Sequence, residues 1–149
     1  MIKKIVITGG DGRFAQVLKR DNKKLNILYP NKKDLNILNI NSIQKYLKKT
    51  KPRYVIHAAA LSRPMNVHNV KISKSIDLNI IGTCNIVKIC SDLKIKLIYF
   101  STGYVYKGKI GNHKESDPVL PFNNYAWSKL GGECAVSMCK NSLILRITM

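Results

Sequence analysis

The chain has 149 residues and a net charge of +18, with 45% hydrophobic and 23% charged residues. This length fits one domain with a core of its own, and the composition is ordinary for a globular chain. No run of eighteen apolar residues is present, which argues against a membrane span, and the apolar run near the N-terminus is too short for a signal peptide. We therefore expect one cytoplasmic domain over residues 1–149.

The charge and the cysteines restrict the choice of partners. Most of the positive charge comes from lysines scattered along the chain, and aromatic residues do not alternate with them as in proteins that bind single strands. Nucleic acid is therefore not favoured as a partner, although a basic field would attract a phosphorylated ligand. The cysteines show no metal-ligand spacing, so we expect free thiols and no metal site at Cys84, Cys90, Cys134 and Cys139.

The first motif is a glycine turn between a strand and a helix. The β-branched run from Ile2 to Thr8 predicts a buried strand, and an amphipathic stretch begins at Phe14. Gly9 would permit the tight turn, Gly12 would let the backbone approach a pyrophosphate, and Ala15 would let helix and strand pack closely. Unpaired N–H groups at the helix start would bind the phosphates. The motif predicts a dinucleotide site.

A second strand is predicted over residues 25–29, and no carboxylate follows it. In dinucleotide-binding folds, an acidic residue at this point binds the adenosine ribose of NAD. Here Lys32 and Lys33 follow instead, and their ammonium groups would tolerate or attract a ribose 2′-phosphate. The sequence thus favours NADP(H), with NAD(H) as the alternative. A short strand within residues 34–39 and a helix capped by Asn41 or Ser42 are expected next.

The rest of the chain alternates between predicted strands and helices. The strand of residues 53–60 ends in three alanines, Ala58, Ala59 and Ala60, which would let backbone approach a ligand, and we expect His57 to be a packed core residue. A helix with apolar residues from Ile72 to Cys90 follows. Beyond it we expect a strand over 95–102, a loop over 103–122, a helix to about residue 139 and a final strand over 143–147. This alternation predicts a Rossmann-like doubly wound parallel sheet with helices on both faces.

A tyrosine and a lysine lie four residues apart in the last predicted helix. Tyr125 and Lys129 would lie on one face of that helix, one turn apart. An ammonium beside a phenol favours the phenolate and lowers the pKa of the tyrosine, which suits it to proton transfer with a substrate oxygen. The predicted strand that ends in Ser101 and Thr102 brings hydroxyl groups to the same edge of the sheet.

Five stretches in this order resemble the extended short-chain dehydrogenase/reductase family, and within it the dTDP-4-dehydrorhamnose reductases. The resemblance covers essentially the whole chain. The stretches are Ile7-Thr-Gly-Gly-Asp-Gly-Arg-Phe-Ala15, Val55-Ile-His-Ala-Ala-Ala60, Asn79-Ile-Ile-Gly-Thr83, Phe100-Ser-Thr-Gly-Tyr-Val-Tyr106 and Asn124-Tyr-Ala-Trp-Ser-Lys-Leu-Gly-Gly-Glu133.

The resemblance implies NAD(P)H-dependent reduction of a 4-keto-6-deoxy nucleotide sugar. It implies that Thr102 hydrogen-bonds the substrate carbonyl, that Tyr125 delivers the proton, and that Lys129 lowers the pKa of Tyr125 and binds the nicotinamide ribose. The cofactor residues that it implies, besides Tyr125 and Lys129, are Gly9, Gly12, Arg13, Phe14, Ala15, Asn36, Ile37, Ala58, Ala59 and Ala60, with Asn36 and Ile37 beside the adenine.

Three departures from the family pattern bear on function. Asn36 stands where the family usually has Asp, and an amide can still accept a hydrogen bond from adenine. Gly103 replaces the Asp of the usual Ser-Thr-Asp-Tyr and supplies no carboxylate, which disfavours dehydration chemistry. The family continues past the strand of residues 143–147 into a part that builds most of the sugar pocket. We therefore expect a truncated chain that carries the cofactor part.

Two alternatives to the reductase stay open. One is a nucleotide-sugar epimerase of the same family. The other is a non-catalytic NADP-binding or regulatory module, because the regulatory β subunit of methionine adenosyltransferase is similar to these reductases. The expected partners are a nucleotide-sugar substrate and either a second copy in a homodimer or a chain that supplies the missing part.

Overall fold

A five-stranded parallel sheet organises the chain in the computed structural model, which describes residues 3–108 and 111–148. The strands are β1 Ile5–Thr8, β2 Ile27–Leu28, β3 Tyr54–His57, β4 Lys96–Thr102 and β5 Ser142–Ile147, and their order in the sheet is β2-β1-β3-β4-β5. All neighbouring pairs are parallel. The chain steps outward from β1 to β2 and then returns to the other side of β1, so the strand order reverses between β1 and β3. The predicted Rossmann-like doubly wound sheet is confirmed.

Three of the predicted segments include residues outside the described ranges. Ile2, where the first strand is predicted to begin, lies outside the described residues. So do Met1 and Met149 at the two ends of the predicted domain, and Lys109 and Ile110 within the predicted loop of residues 103–122.

Six α-helices, one π-helix and one 3-10 helix connect the strands in the described ranges. The predicted helix from Ile72 onward consists of three consecutive segments, because a π-helix separates two α-helical stretches. The bounds are α1 Arg13–Asp21, α2 Ile40–Thr50, α3 Val67–Val70, α4 Ile72–Ser75, the π-helix Ile76–Ile81, α5 Gly82–Asp92, the 3-10 helix Gly103–Val105 and α6 Asn124–Ser137.

The helices cover the two faces of the sheet unequally. On one face α5 contacts both α2 and α6, and the hydroxyl of Tyr99 in β4 donates a hydrogen bond to the carbonyl of Lys129 in α6 at 3.2 Å. The next residue, Phe100, points to the opposite face, where Phe14 of α1 packs edge-on against it at 4.8 Å between ring centroids. Helices lie on both faces as predicted, with three long helices on one side and α1 on the other.

The core lies under the three-helix face. Val6, Val55 and Leu97 from three adjacent strands are fully buried there, together with Ile43 of α2 and Ile86 of α5. Alternate residues of the same strands face the other side, as the two-residue period of a strand requires.

Two local predictions near α2 are wrong. Residues 34–39 form turns and no strand, because the side-chain oxygen of Asn31 accepts hydrogen bonds from the N–H groups of Lys33 and Asp34. The helix is capped by Asn39, not by Asn41 or Ser42. The Asn39 side chain accepts from the Ser42 N–H at 3.0 Å, while the Ser42 hydroxyl accepts from the N–H of Asn36.

Three further observations concern the state of the cysteines, the lengths of the helices and possible metal ligands. The four cysteines are free thiols, as predicted, and burial raises the pKa of Cys90 to about 12. Across residues 3–108 and 111–148, no helix is long and apolar enough to cross a membrane. The same ranges contain no cluster of three or more His, Cys, Asp or Glu side chains suited to a metal ion.

Candidate functional site

The glycine turn lies at the point where the strand order reverses. Gly9 has φ +74°, a left-handed conformation that favours glycine, and a Cβ there would lie 2.9 Å from the Cα of Ala59. Gly10 is buried and lies so close to the carbonyls of Tyr29 and Pro30 that a side chain could not fit. The turn therefore depends on Gly10 as well as Gly9. Sequence reasoning missed Gly10 because this residue falls on a position of the glycine motif at which any residue is allowed.

Helix α1 begins directly after this turn. Gly12 is its N-cap, Arg13 is its first residue, and Ala15 is buried against the sheet, as its predicted packing role requires. Among the described residues no side chain caps the helix start, so its first N–H groups have no side-chain partner. The ring of Phe14 packs edge-on against Phe100, and Phe14 remains 45% exposed.

An apolar cleft of about 340 Å³ lies beside the turn. It brings together seven of the twelve residues predicted to hold the cofactor, while Arg13, Phe14, Ala15, Tyr125 and Lys129 do not line it. It also adds Leu78 from the π-helix, which the sequence patterns did not single out. The lining residues are Gly9, Asp11, Gly12, Lys32, Leu35, Asn36, Ile37, Ala58, Ala59, Ala60 and Leu78.

The side chains of Asn36 and Ile37 are already engaged within the fold. The amide oxygen of Asn36 accepts a hydrogen bond from the Leu38 N–H at 3.0 Å, and the buried side chain of Ile37 packs against Gly82 at the start of α5. Both residues line the cleft, and their contact with an adenine stays a prediction.

A second, open cleft of about 500 Å³ adjoins the first on the β2 side. Lys32 and Lys33 line it with Asn31, Asn36 and the carboxylate of Asp11. Two ammonium groups against one carboxylate leave this end of the site positive on balance.

The predicted proton-transfer residues meet at the carboxyl end of β4. Thr102 is the last residue of β4, and Tyr125 lies in the first turn of α6, whose N-cap Asn123 accepts a hydrogen bond from the Ala126 N–H at 2.7 Å. Burial raises the pKa of Tyr125, and hydrogen bonding to Thr102 acts in the opposite direction. The Tyr125 ring also contacts the rings of His68, at 5.1 Å between centroids, and Tyr104, at 6.3 Å. His68 is buried and was not predicted.

Lys129 lies one turn beyond Tyr125, as the spacing predicted, and its side chain is buried. Its ammonium stands 4.1 Å from the centroid of the Tyr99 ring. Burial lowers the pKa of Lys129 to about 7, and the charge of Glu133 acts in the opposite direction. Within the described ranges the ammonium makes no hydrogen bond, so its donors are available to a ligand. The predicted lowering of the Tyr125 pKa by Lys129 stays a prediction.

A chain of buried hydrogen bonds runs behind the site. Its first half centres on His57, whose Nδ1 lies 2.7 Å from the Thr8 hydroxyl and whose Nε2 lies 3.1 Å from the Thr83 hydroxyl. The Thr83 hydroxyl donates to the carbonyl of Asn79 and therefore accepts from Nε2–H, which assigns the proton to Nε2. His57 is a packed core histidine, as expected.

The second half of this chain reaches the helix of Tyr125. The amide of Asn79 donates to the Ser128 hydroxyl at 2.8 Å, and that hydroxyl donates to the carbonyl of Tyr125 at 2.7 Å. Asn79 also exchanges two hydrogen bonds with the backbone of Leu61. The strand before the glycine turn is thus connected to α6 through buried hydrogen bonds of side chains and of the Asn79 and Tyr125 carbonyls.

A partly buried ion pair lies one turn beyond Lys129 on α6. Glu133, one turn further along α6, accepts hydrogen bonds from the guanidinium of Arg146 in β5, the shortest at 2.8 Å. Arg146 also donates to the hydroxyl of Tyr106 at 2.6 Å, and hydrogen bonding to Glu133 raises the Arg146 pKa well above its ordinary value. Tyr106 in turn stacks on His113, so the pair connects α6 to the loop before it.

The geometry fits a nicotinamide dinucleotide. Four features lie along one edge of the sheet. The first two are a turn with no room for side chains at Gly9 and Gly10 and a helix start without a side-chain cap. The other two are an adjoining apolar cleft and a buried ammonium with free donors. These are the groups that a pyrophosphate, an adenine and a ribose require. The fold and the site together define a Rossmann-like domain with a cofactor cleft at the point where the strand order reverses.

Comparison with known proteins places this domain in a family. The chain matches the RmlD substrate binding domain family over residues 3–149, and it belongs to that family. The dTDP-4-dehydrorhamnose reductase of Aggregatibacter actinomycetemcomitans is 27% identical over 148 residues, which cover 96% of this chain and 50% of that protein. The methionine adenosyltransferase 2 subunit beta of Pongo abelii is 27% identical over 143 residues, which cover 90% of this chain and 42% of that protein.

Solved structures agree with the fold. The dTDP-4-dehydrorhamnose reductase of Bacillus anthracis, solved in complex with NADP, superposes with a TM-score of 0.89 at 28% identity, over 98% of this chain and 53% of that one. An enzyme from Bordetella bronchiseptica in complex with NAD and UDP has a TM-score of 0.78 at 20% identity, over 98% of this chain and 53% of that one, and shows the fold alone. The chain spans about half the length of the relatives it matches.

Proposed function

We propose that this chain supplies the cofactor-binding and proton-transfer part of an NAD(P)H-dependent reductase that acts on a 4-keto-6-deoxy nucleotide sugar. The observation that carries the proposal is the meeting of Thr102, Tyr125 and Lys129 at the sheet edge that holds the glycine turn. Similarity to dTDP-4-dehydrorhamnose reductases over nearly the whole chain supports it.

The proposal gives each of the three residues a defined role. When bound, the reduced nicotinamide supplies a hydride to the carbonyl carbon of the sugar. Thr102 holds the carbonyl oxygen by a hydrogen bond, and the Tyr125 hydroxyl transfers its proton to that oxygen as the charge develops. The Lys129 ammonium binds the nicotinamide ribose and, once charged, stabilises the Tyr125 phenolate that remains.

The test is turnover of a keto-sugar nucleotide, followed as the loss of NADPH absorbance. Tyr125→Phe removes the proton donor and should lower kcat/KM by about 100-fold or more, since general acid catalysis contributes about that much. Tyr46→Phe, at a half-buried tyrosine of α2, is the matched control and should leave kcat/KM unchanged. Turnover that survives Tyr125→Phe would contradict the assignment.

The cofactor preferred in this proposal is NADP(H), with NAD(H) as the weaker alternative. Lys32 and Lys33 line the open cleft next to the predicted adenosine end, and no acidic residue follows β2 directly. A 2′-phosphate bound by these two ammonium groups would gain charge-assisted hydrogen bonds, while a 2′-hydroxyl would gain little. Asp11 lies in the same cleft and limits the preference.

Fluorescence titration with NADPH and NADH tests this preference. The double variant Lys32→Ala/Lys33→Ala should weaken NADPH binding about tenfold, equivalent to about 1.4 kcal/mol. NADH binding should change by less than about twofold, because no phosphate is lost. Lys48→Ala/Lys49→Ala, two exposed lysines of α2, is the control for loss of net charge. Equal weakening of both cofactors would refute a 2′-phosphate site.

A regulatory role is the second candidate. It is favoured by the similarity to methionine adenosyltransferase 2 subunit beta in several vertebrates, for example 29% identity over 143 residues in Xenopus laevis. This role requires cofactor binding and a protein partner but no proton transfer. A chain that binds NADPH, shows no turnover with keto-sugar nucleotides and keeps its partner after Tyr125→Phe would favour the regulatory role over the enzyme.

A further inference from the structure

His68 is a buried side chain that lies against Tyr125 and that the proposed reaction does not use. It belongs to α3, the four-residue helix Val67–Val70, and only 1% of its surface is exposed. The centroid of its ring lies 5.1 Å from that of the Tyr125 ring, with 56° between the ring planes. Aromatic rings attract each other at this separation, so the buried imidazole restrains the phenol ring.

A hydrogen bond fixes the orientation of the His68 ring. Its Nδ1 lies 2.7 Å from the hydroxyl of Ser75 in α4, and Ser75 is itself 2% exposed. A phenylalanine at position 68 would also place a ring there, but no hydrogen bond would fix the rotation of that ring about its last torsion angle. The histidine therefore presents a ring of fixed orientation to Tyr125.

Hydrogen bonds also join the helix of His68 to the start of α6. The side-chain amide of Asn124, the residue before Tyr125, donates to the carbonyl of His68 at 3.3 Å. The same amide donates to the side-chain oxygen of Asn69 at 3.0 Å. The short helix α3 is thus connected to the first turn of α6 through its backbone as well as through the two rings.

A second ring contacts Tyr125 but is less buried. Tyr104, in the 3-10 helix after β4, lies edge-on to Tyr125 at 6.3 Å between centroids, and it is 42% exposed. Because an exposed ring keeps more freedom to move than a buried one, Tyr104 restrains the phenol less than His68 does.

These contacts give His68 a role in the placement of the proton donor. We propose that His68 is a positioning residue for Tyr125, whose ring contact keeps the phenol hydroxyl beside Thr102, where the substrate carbonyl would lie. The inference rests on the proposed function, because it concerns the proton donor of that reaction. A reacting group displaced by about 1 Å can lower the rate by about 100-fold, so a restrained phenol has a large effect on turnover.

Three variants separate the ring of His68 from its hydrogen bond. His68→Phe keeps a ring against Tyr125 and loses the bond to Ser75, whereas His68→Asn keeps a polar group near the position of Nδ1 and loses the ring. Ser75→Ala removes the bond alone and changes the buried volume very little. Ile43→Val, in the core below α2, is the control for a general loss of stability. Thermal melts verify that each variant is folded.

The first measurements are turnover of a keto-sugar nucleotide and the Kd for NADPH. His68→Asn should lower kcat by about 10- to 100-fold, because the phenol loses its restraint. His68→Phe and Ser75→Ala should each lower kcat by less than about fivefold, since a ring still contacts Tyr125. The Kd for NADPH should change by less than about twofold in all three, because His68 is not among the residues that line the cofactor cleft.

Nuclear magnetic resonance tests the position of Tyr125 without turnover. The chain is isotopically labelled in its tyrosine rings, and the Tyr125 signals are identified by their absence in Tyr125→Phe. The nuclear Overhauser effect between the Tyr125 ring and the Thr102 methyl should be present in the wild type and His68→Phe and weaker in His68→Asn. If the wild type shows no turnover but this pattern is observed, the reductase proposal fails and the positioning of Tyr125 by His68 is supported.

Three outcomes would overturn the inference. The first is full kcat in His68→Asn with a loss in His68→Phe, which would assign the effect to the hydrogen bond and not to the ring. The second is the same loss of kcat in His68→Asn and Ile43→Val, which would reflect stability alone. The third is a nuclear Overhauser effect between Tyr125 and Thr102 that His68→Asn leaves unchanged.

Discussion

Two buried basic side chains contact the ring of Tyr99, and they differ in their hydrogen-bond partners. His57 stacks on the ring at 5.7 Å between centroids and has hydrogen-bond partners at both nitrogens. Lys129 stands over the same ring at 4.1 Å, and in the described residues its ammonium has the π face but no hydrogen bond. A buried polar group without partners costs stability, so folds complete such groups unless function requires otherwise.

The two regions differ in whether their buried polar groups have hydrogen-bond partners. The His57 region is complete and needs no ligand. Thr8 donates to Nδ1 of His57, Nε2–H donates to Thr83, and Thr83 donates to the carbonyl of Asn79. The Lys129 region is incomplete, and a ribose would supply the missing acceptors. We infer that the destabilising burial of Lys129 serves the proposed cofactor, and the following experiments measure how far the two regions differ.

The largest effect is expected from Lys129→Met across the alkaline range. The folded pKa of Lys129 is about 7 against 10.5 for an exposed lysine, so between these values only the unfolded chain holds the proton. The Lys129 contribution to stability is therefore fully present above about pH 10.5 and lost as the pH falls to about 7, by an amount on the order of 4 kcal/mol.

Urea unfolding at pH 7 and pH 10 measures this change. Lys129→Met removes the titration, so its stability relative to the wild type should be several kcal/mol more favourable at pH 7 than at pH 10. Lys88→Met, at an exposed lysine of α5, should show the same relative stability at both pH values. A Lys129→Met curve parallel to the wild type would mean that Lys129 stays charged in the fold.

Arg146→Met should destabilise the fold by about 3 kcal/mol at neutral pH, because it leaves a buried carboxylate without its partner. The Glu133 side chain is only 4% exposed and accepts hydrogen bonds from both Nε and Nη2 of Arg146. Urea unfolding checks the size. Adding Glu133→Gln to Arg146→Met should restore much of the loss, since no buried charge remains.

The same two substitutions test the electrostatic connection to Lys129. Glu133 raises the pKa of Lys129, and Arg146 neutralises Glu133. Arg146→Met should therefore raise the folded pKa of Lys129 and move the associated change in stability to higher pH. Glu133→Gln should lower that pKa and move the change to lower pH. Shifts in the same direction would indicate that both substitutions act only by loosening α6.

His57→Phe should cost about 2 kcal/mol at pH 7, because it removes two buried hydrogen bonds but keeps an aromatic ring on Tyr99. Its pH dependence has the same sign as that of Lys129 but lies at lower pH. Burial, and secondarily the charge of Lys129, lowers the His57 pKa to about 3 from 6.5. The wild type therefore has this contribution above about pH 6.5 and loses it as the pH falls toward 3.

Acid unfolding of the wild type and His57→Phe measures this term. The deficit of the variant should shrink below pH 6.5 and disappear by about pH 4, since phenylalanine does not titrate. His113→Phe, at a histidine of the loop before α6, controls for loss of a histidine as such. A deficit that stays constant from pH 7 to pH 4 would show that His57 has the same pKa in the folded protein as in the unfolded chain.

Local patterns were sufficient for the fold and for part of the site. The strand before Gly9, the turn itself and the one-turn spacing of Tyr125 and Lys129 each follow from neighbouring residues, and the structure has all three. The alternation of strands and helices was enough to predict the parallel sheet. The π-helix of Ile76–Ile81 was missed because apolar residues at steps of three and four look alike in α- and π-helices.

Contacts distant in sequence account for the rest. Thr8 and His57 are 49 residues apart, and so are Asn79 and Ser128, so no periodicity relates the members of the buried hydrogen-bond chain. The absent strand at residues 34–39 had a local signal in Asn31, whose turn competes with strand formation. Burial of Lys129 over Tyr99 depends on β4 and α6 packing together, which residue spacing within α6 does not encode.

The smallest expected effect compares two helix caps of the same type. Asn123 begins α6 and Asn39 begins α2, and each side chain accepts a hydrogen bond from the N–H three residues later, at 2.7 and 3.0 Å. Asn123→Ala and Asn39→Ala should each lower stability by about 1 kcal/mol in urea unfolding. Only Asn123→Ala should also weaken NADPH binding, because Tyr125 and Lys129 belong to the first turns of α6, whereas α2 carries completed core contacts such as Ile43. Equal losses of NADPH affinity in the two variants would mean that the cofactor site depends on overall stability and not on the position of α6.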